Sequence, residues 1–129
     1  DKKVHILGII SDDELKAYLS AMDIYCFPSI TKNEAFGLAL AEGMYYEKPA
    51  VTFTIPGSGV NYVCLNGKNG IEVENRNIKQ YAEAMIKLAT DDKLRGIYGR
   101  AGKKRVMENF LYEQYIKRMR KMLEEIVTL

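Results

Sequence analysis

Short apolar runs that alternate with segments of helical length restrict the fold of this chain more than any other feature. Four runs have strand composition, at residues 4–7, 23–27, 50–54 and 71–74. Segments with a helical spacing of apolar residues separate these runs. Parallel strands need crossover connections, which are usually helices, so this alternation is typical of a parallel sheet covered by helices. The sequence therefore predicts a Rossmann-like α/β fold.

Local signals predict where the helices begin and end. Ser11 and Glu14 form a capping-box motif, which predicts a first helix that runs to about Met22. A second helix is predicted over residues 36–47, because the residue before Pro49 is steered away from helical angles. That segment is apolar on nearly every side, so we expect it to be buried. Further helical patterns begin at residue 78, cover residues 92–109 and run from residue 113 to the end.

Composition places the chain among single globular domains. Its 129 residues are 47% hydrophobic, which is enough for one core over residues 1–129. The 19 basic and 17 acidic residues nearly balance, so there is no chain-wide reason to expect a nucleic-acid partner. Cys26 and Cys64 have neither zinc nor disulfide spacing and are interpreted as buried hydrophobes in a reducing, cytoplasmic protein. Because the sequence starts at Asp1 rather than Met, we expect a piece of a longer chain.

The loop after the second strand is the first candidate for a functional site. Ligands of open parallel sheets bind beyond the carboxyl ends of the strands. This loop leads through Phe36, Gly37 and Leu38 into the predicted buried helix. The first amides of a helix lack internal partners and carry the positive end of its dipole, which suits a diphosphate. Gly37 would let such a ligand approach the backbone closely.

Glu42 is the anomalous residue of the predicted helix, since it is the only charge between Glu34 and Glu47. A buried carboxylate needs a hydrogen-bond donor, and a ribose diol offers two. At roughly 1.5 Å per residue, Glu34 and Glu42 would lie about 12 Å apart along a helix, comparable to the reach from a sugar to a ribose. The residues alone leave two alternatives open. Glu34 can form a capping box with Thr31, and Glu42 can be an ordinary ion-paired helix residue.

The motif around these glutamates resembles the family 4 glycosyltransferases, whose signature is two glutamates separated by seven residues. The likeness extends in order along essentially the whole chain. Three positions depart from the family pattern: Gly43 replaces a usual Ala, Glu47 a common Gly, and Asn61 a frequent Glu. The matching segments are residues 4–8, 13–15, 27–29, 34–38, 41–42, 48–51, 57–59 and 66–70.

The resemblance implies the carboxyl-terminal, donor-binding domain of a GT-B enzyme, truncated at its amino-terminal side. Such enzymes transfer a hexose with retention from a UDP- or GDP-type nucleotide sugar to a glycan or lipid-linked acceptor. No metal or other cofactor is implied, and the sequence has one histidine and no Asp-x-Asp pair. Because the amino-terminal acceptor domain is missing, we expect the fragment alone to be inactive. A catalytically silent sugar-nucleotide-binding module is the alternative.

Residue roles also follow from the resemblance. Glu34 would contact the donor sugar as the catalytic residue, and Glu42 would bind the ribose. The remaining donor-binding candidates are backbone groups in three places. Gly57 and Gly59 are interpreted either as ligand contacts or as turn formers. These candidates are Phe36, Gly37 and Leu38 at the phosphates or sugar, Gly8, Ile9 and Ile10 near the base, and Gly57 and Gly59 after the third strand.

The last segment, at about residues 113–129, is strongly amphipathic. Six apolar residues share one face, and four basic residues lie opposite. One interpretation is a solvated basic face whose apolar stripe packs on protein. The other is peripheral contact with the inner face of a membrane, because such helices favour anionic lipid. The apolar residues are Ile116, Met119, Met122, Leu123, Ile126 and Val127, and the basic ones are Lys117, Arg118, Arg120 and Lys121.

Overall fold

A computed structural model describes residues 3–128 as a parallel sheet with flanking helices. The strands follow one another in the order β1-β2-β3, and Val51 pairs with Cys26 on one side and Ile71 on the other. The predicted α/β class is confirmed. In chain order the elements are α1 (Asp12–Ala21), β1 (Tyr25–Phe27), α2 (Leu38–Tyr45), β2 (Ala50–Phe53), α3 (Val60–Val63), β3 (Gly70–Val73), α4 (Ile78–Thr90), α5 (Asp92–Asn109) and α6 (Tyr112–Val127).

The predicted strand over residues 4–7 is wrong. Val4 and Ile6 are 67% and 94% exposed, and the segment joins no ladder of the sheet that the structure describes. In a doubly wound sheet of order 3-2-1-4-5-6, strands 4, 5 and 6 lie side by side in chain order, as β1, β2 and β3 do here. The strand that precedes these three in the chain lies in the other half of such a sheet and pairs there. No strand of that other half lies within residues 3–128. The run therefore has no partner there for its backbone groups.

The core is centred on β2, in which all four residues are buried. Leu40 and Met44 of α2 and Leu88 of α4 are fully buried beside it. Tyr81 of α4 packs its ring 4.8 Å from that of Phe53 and donates a hydrogen bond to a β2 carbonyl at 2.8 Å. A central parallel strand covered in this way has the continuous apolar composition that the sequence shows.

The capping box predicted at the start of α1 is confirmed. The Ser11 hydroxyl accepts a hydrogen bond from the Glu14 amide at 3.3 Å, and the Glu14 carboxylate accepts one from the Ser11 amide at 2.9 Å. Two backbone donors that the helix leaves unpaired are thereby satisfied. The helix ends at Ala21, close to the predicted Met22.

Helix α2 is shorter and more exposed than predicted. It begins at Leu38 rather than at residue 36, because Gly37 takes a left-handed conformation with φ 93°. Leu38 is 72% exposed and Tyr45 is 43% exposed, so the prediction of a buried helix is wrong for this face. No element among residues 3–128 covers the face fully. The buried residues are Leu40, Ala41, Gly43 and Met44.

Glycines bring α5 close to α2. A Cβ atom added at Gly99 would lie 2.0 Å from the Glu47 carbonyl oxygen, and one at Gly102 would lie 3.5 Å from Met44. The contact at Gly102 is an ordinary van der Waals distance, but a side chain at Gly99 would force the two segments apart, so α5 meets the end of α2 through direct backbone contact there.

The two cysteines differ in their surroundings. Cys64 is buried as predicted, and burial raises the pKa of its thiol to about 12. Cys26 is exposed, so its interpretation as a buried residue is wrong. It lies on β1, which is an edge strand of the described sheet and therefore has a neighbour on one side only. Among the helices that the structure describes, none is long and apolar enough to cross a membrane.

Candidate functional site

Two loops meet beyond the carboxyl ends of β1 and β2. The Gly59 amide donates a hydrogen bond to the Ala35 carbonyl at 2.7 Å, and the Ser58 hydroxyl donates one to the Glu34 carbonyl. A Cβ atom at Gly59 would lie 2.7 Å from the Ala35 oxygen, so only glycine permits this approach. Gly57 is exposed and has φ +79°, which is the turn geometry that the sequence left open.

Glu34 organises the turn that leads into α2. Its carboxylate Oε1 accepts a hydrogen bond from the Gly37 amide at 3.0 Å. Its own amide donates to the Thr31 carbonyl at 3.2 Å, so the bond to Thr31 joins backbone groups rather than forming a capping box. Within residues 3–128, no hydrogen bond engages the second carboxylate oxygen. Glu34 therefore holds the turn with one oxygen and leaves the other available to a ligand.

The unpaired amides at the start of α2 lie further along the chain than the sequence indicated. The Gly37 amide is already bonded to Glu34, so it is not free to meet a diphosphate. The first turn of α2 has no side-chain cap, and Leu38 and Ala39 are exposed, so their amides present its positive end to the surface. Sequence reasoning did not include Ala39. A glycine just before an apolar helix is the signal that would have moved the helix start.

Glu42 lies on the exposed face of α2 rather than inside it. The argument that burial forces it to find a donor is therefore wrong. Among the described residues its carboxylate has no ion pair or hydrogen bond, so it also does not act as an ordinary ion-paired helix residue. An unengaged carboxylate on an otherwise apolar face remains available to hydroxyl donors of a ligand.

Both glutamates affect the phenol of Tyr25, on β1, electrostatically. Its ring lies flat against α2, so close that a Cβ atom at Gly43 would be 2.8 Å away from it. Burial raises the pKa of the Tyr25 phenol, and the negative charges of Glu42 and then Glu34 raise it further. Both carboxylates therefore lie within electrostatic range of one hydroxyl group. The structure brings the predicted pair to the same side of the sheet.

A groove of about 560 Å³ runs along the open face of α2. Three predicted site residues, Phe36, Leu38 and Glu42, line it. Tyr45 continues the α2 wall, and the facing walls come from α1 and from the end of α5. The lining is mostly apolar with a few charged groups, which is typical of a ligand site. The facing residues include Leu15, Lys16, Leu19, Val106 and Phe110.

The predicted base-proximal loop is not part of this groove. Gly8 and Ile9 are exposed, Ile9 completely so, and Ile10 is half-buried. They belong to the same segment as the run over residues 4–7, which has no partner strand in the described part of the chain. Within residues 3–128, no three side chains of His, Cys, Asp or Glu come together as metal ligands.

Asn61 explains one departure from the family pattern. Its side-chain amide donates to the Phe53 carbonyl at 3.0 Å, and its oxygen accepts from the Ile55 amide at 2.7 Å. A glutamate could accept the second bond but, when ionised, could not donate the first. Asn61 therefore ties the loop after β2 to the end of that strand and supports Gly59 in its contact with Ala35.

Comparison with known sequences identifies the family. Residues 1–105 match the family described as Glycosyl transferases group 1. The chain is 34% identical over 84 residues to the D-rhamnosyltransferase WbpZ of Pseudomonas aeruginosa, covering 65% of this chain and 22% of that protein. It is also 34% identical over 94 residues to the capsular polysaccharide biosynthesis glycosyltransferase CapM of Staphylococcus aureus, covering 73% and 24%.

Solved structures share the fold. Sucrose-phosphate synthase from Thermosynechococcus elongatus superposes with a TM-score of 0.84 at 22% identity, covering 98% of this chain and 31% of that one. The C-terminal domain of the group 1 glycosyl transferase LpcC from Francisella tularensis gives 0.72 at 24% identity, covering 83% and 53%. The chain spans roughly a fifth to a third of the curated relatives it matches (22% and 34% of two of them). It belongs to the group 1 glycosyl transferases and forms part of a Rossmann-like domain of the GT-B fold.

Proposed function

We propose that this chain is the donor-binding part of a retaining glycosyltransferase. In this proposal the whole enzyme moves a hexose from a UDP- or GDP-type nucleotide sugar to a glycan or lipid-linked acceptor in polysaccharide biosynthesis. The observation that carries the proposal is the open face of α2, where Glu42 lies unengaged beside the uncapped amides of the first turn. Family membership supports sugar transfer as the chemistry.

The charges of the site suit departure of a nucleoside diphosphate. Negative charge develops on the diphosphate as the bond to the sugar breaks, and the exposed amides of Leu38 and Ala39 stabilise it from a fixed position. Positive charge develops on the sugar, and the free oxygen of Glu34 is suited to stabilise it. Glu42 accepts hydrogen bonds from the ribose hydroxyls. These roles require no metal or cofactor.

The remaining parts of the proposal concern the whole protein. We propose that the acceptor is held by a further, amino-terminal domain and that this chain alone does not catalyse transfer. We place the protein in the cytoplasm, with peripheral contact at the inner face of a membrane as one mode of reaching a lipid-linked acceptor. Joining the chain to its amino-terminal domain and finding no transfer or hydrolysis with any nucleotide sugar would instead indicate a catalytically silent binding module.

Isothermal titration with UDP and with GDP tests the donor site. Replacing Glu42 with Ala removes charge-assisted hydrogen bonds worth about 1.5 to 3 kcal/mol, so we expect affinity to fall by roughly 10- to 150-fold. Glu83→Ala is the matched control, because Glu83 is an exposed glutamate on α4 outside the groove. Equal affinity in wild type and Glu42→Ala would disprove the role of Glu42. No binding of either nucleotide would disprove the donor site.

A further inference from the structure

A second, smaller recess lies beside the groove. It has a volume of about 240 Å³ and shares Phe36 and Phe110 with the groove wall. Four of its six lining residues are aromatic, and the other two carry an amide and a guanidinium. The lining residues are Phe36, Tyr62, Asn109, Phe110, Tyr115 and Arg118.

Three of the four aromatic walls of the recess, Phe36, Tyr62 and Phe110, are held in place by contacts with other side chains. Phe110 meets Phe36 edge to face at 5.3 Å between ring centroids, and it meets Tyr62 at 5.8 Å. The Arg105 guanidinium lies 5.0 Å from the Tyr62 ring and donates hydrogen bonds to the carbonyls of Tyr62 and Val63. These contacts fix the rings before any ligand arrives, which lowers the entropic cost of binding.

The rim of the recess offers two phenol hydroxyls that the fold does not use and one guanidinium that it uses in part. Tyr62 and Tyr115 are 55% and 57% exposed, and within residues 3–128 no hydrogen bond engages either hydroxyl. Arg118 donates to the Asn109 carbonyl at 3.1 Å and to its side-chain oxygen at 2.9 Å. A third bond, to the Glu108 carbonyl at 3.5 Å, comes from the same terminal nitrogen as the bond to the Asn109 side chain, so Nε and one N–H of the other terminal nitrogen remain for a ligand.

We propose that this recess binds one pyranose ring of the acceptor glycan, beyond the part of the acceptor that the amino-terminal domain holds. A pyranose has apolar C–H faces that stack on aromatic rings and hydroxyls that pair with the rim. The volume is below the ~300 Å³ at which sites for drug-sized ligands begin, which suits a single ring. A lipid chain or an apolar helix would bury the two phenol hydroxyls without partners, which is unfavourable. The inference rests on the proposed transferase function, and the shared Phe36 puts this sugar next to the donor.

Chemical-shift titration of the chain with methyl α-D-glucopyranoside and methyl α-D-mannopyranoside tests the proposal. We expect shifts at the backbone amides of Tyr62, Phe110, Tyr115 and Arg118. Tyr115→Ala should weaken binding about tenfold through loss of one stacking surface. This variant is expected to fold, since the Tyr115 side chain is exposed and lacks ring contacts in the described residues. Tyr18→Ala, at a comparably exposed tyrosine on α1 outside the recess, should bind like wild type.

The outcomes separate this proposal from that of the donor site. Nucleotide binding without glycoside-induced shifts would overturn the acceptor recess alone. The same conclusion would follow if the shifts were equal in Tyr115→Ala and wild type. Loss of nucleotide binding with glycoside shifts retained would overturn the donor site and leave the recess a sugar site. Concentration-dependent broadening without ligand would show that a second copy covers the recess, which also contradicts the proposal.

Discussion

The two faces of α2 differ in burial and in chemistry. One face buries Leu40 and Met44 completely and contacts Tyr25 and α5. The other face leaves Leu38 and Glu42 exposed along the groove. Eight residues thus divide into a packing surface and a binding surface. If this division is correct, substitutions on the first face change the free energy of unfolding, and substitutions on the second change ligand binding.

The largest effect is expected where α5 presses on the end of α2. Gly99→Ala puts a methyl group 2.0 Å from the Glu47 carbonyl, and neither backbone can move without shifting a packed helix. We expect the free energy of unfolding to fall by about 3 kcal/mol, as in severe overpacking, which chemical denaturation would measure.

Gly96→Ala in the same helix is the control for Gly99→Ala. Its Cβ atom would lie 3.1 Å from the end of the Arg100 side chain, which is exposed and flexible. Alanine is a better helix former than glycine, so this variant should gain up to ~1 kcal/mol. A Gly99→Ala protein as stable as wild type would show that the contact between α5 and the end of α2 is not tight. The packing of α2 would then not depend on a glycine at position 99.

A second, smaller effect is expected at the contact between α2 and β1. Gly43→Ala would place a methyl group 2.8 Å from the Tyr25 ring, so we expect a loss of about 1 to 2 kcal/mol despite the gain in helix propensity. Adding Tyr25→Leu should recover part of that loss, with a coupling energy of roughly 0.5 to 3 kcal/mol in a double-mutant cycle. Additive effects would mean that contact with the Tyr25 ring is not what requires glycine at position 43.

Elements specified by neighbouring residues could be predicted from the sequence. The capping box at Ser11 and the span of α5 depend on residues within one or two helical turns, and both match the structure. The apolar run of β2 has the composition that a central strand requires. The run over residues 4–7 has the same kind of composition, but a strand also needs a partner, which composition does not supply.

The positions of the predicted site residues follow the sequence in outline but differ in detail. Glu34 and Phe36 lie in the loop after the carboxyl end of β1, where ligands of parallel sheets are expected, and Glu42 lies on the helix that follows. The exposure of Glu42 depends on which elements cover α2, and that is a tertiary property. The bond from Gly37 to Glu34 depends on a left-handed glycine, which moved the helix start by two residues from the prediction.

A stabilising substitution is expected where α2 ends. Glu47 has φ 62°, a left-handed conformation that favours glycine, and its carboxylate pairs with Lys103 at 3.1 Å while about half exposed. An exposed pair of this kind contributes little, so Glu47→Gly should gain about 0.5 to 1 kcal/mol in denaturation. Glu47→Ala removes the same pair without relieving the backbone, and it should be no more stable than wild type. Equal stabilities of the two variants would show that the backbone conformation costs nothing here.

The smallest expected effect is a change in the pKa of Tyr25 when the charge of Glu42, on the exposed face of α2, is removed. Burial is the main reason for the raised pKa of the Tyr25 phenol, and the charge of Glu42 adds to it. Glu42→Gln removes a negative charge that opposes phenolate formation, so the pKa of Tyr25 should fall towards its ordinary value but remain above it, because burial persists. Alkaline titration of the Tyr25 ring carbon by NMR measures this change, with Glu83→Gln as a control. An unchanged Tyr25 pKa in Glu42→Gln would show that the Glu42 carboxylate is too far from the Tyr25 phenol to affect it. The two glutamates would then not act on the same hydroxyl group.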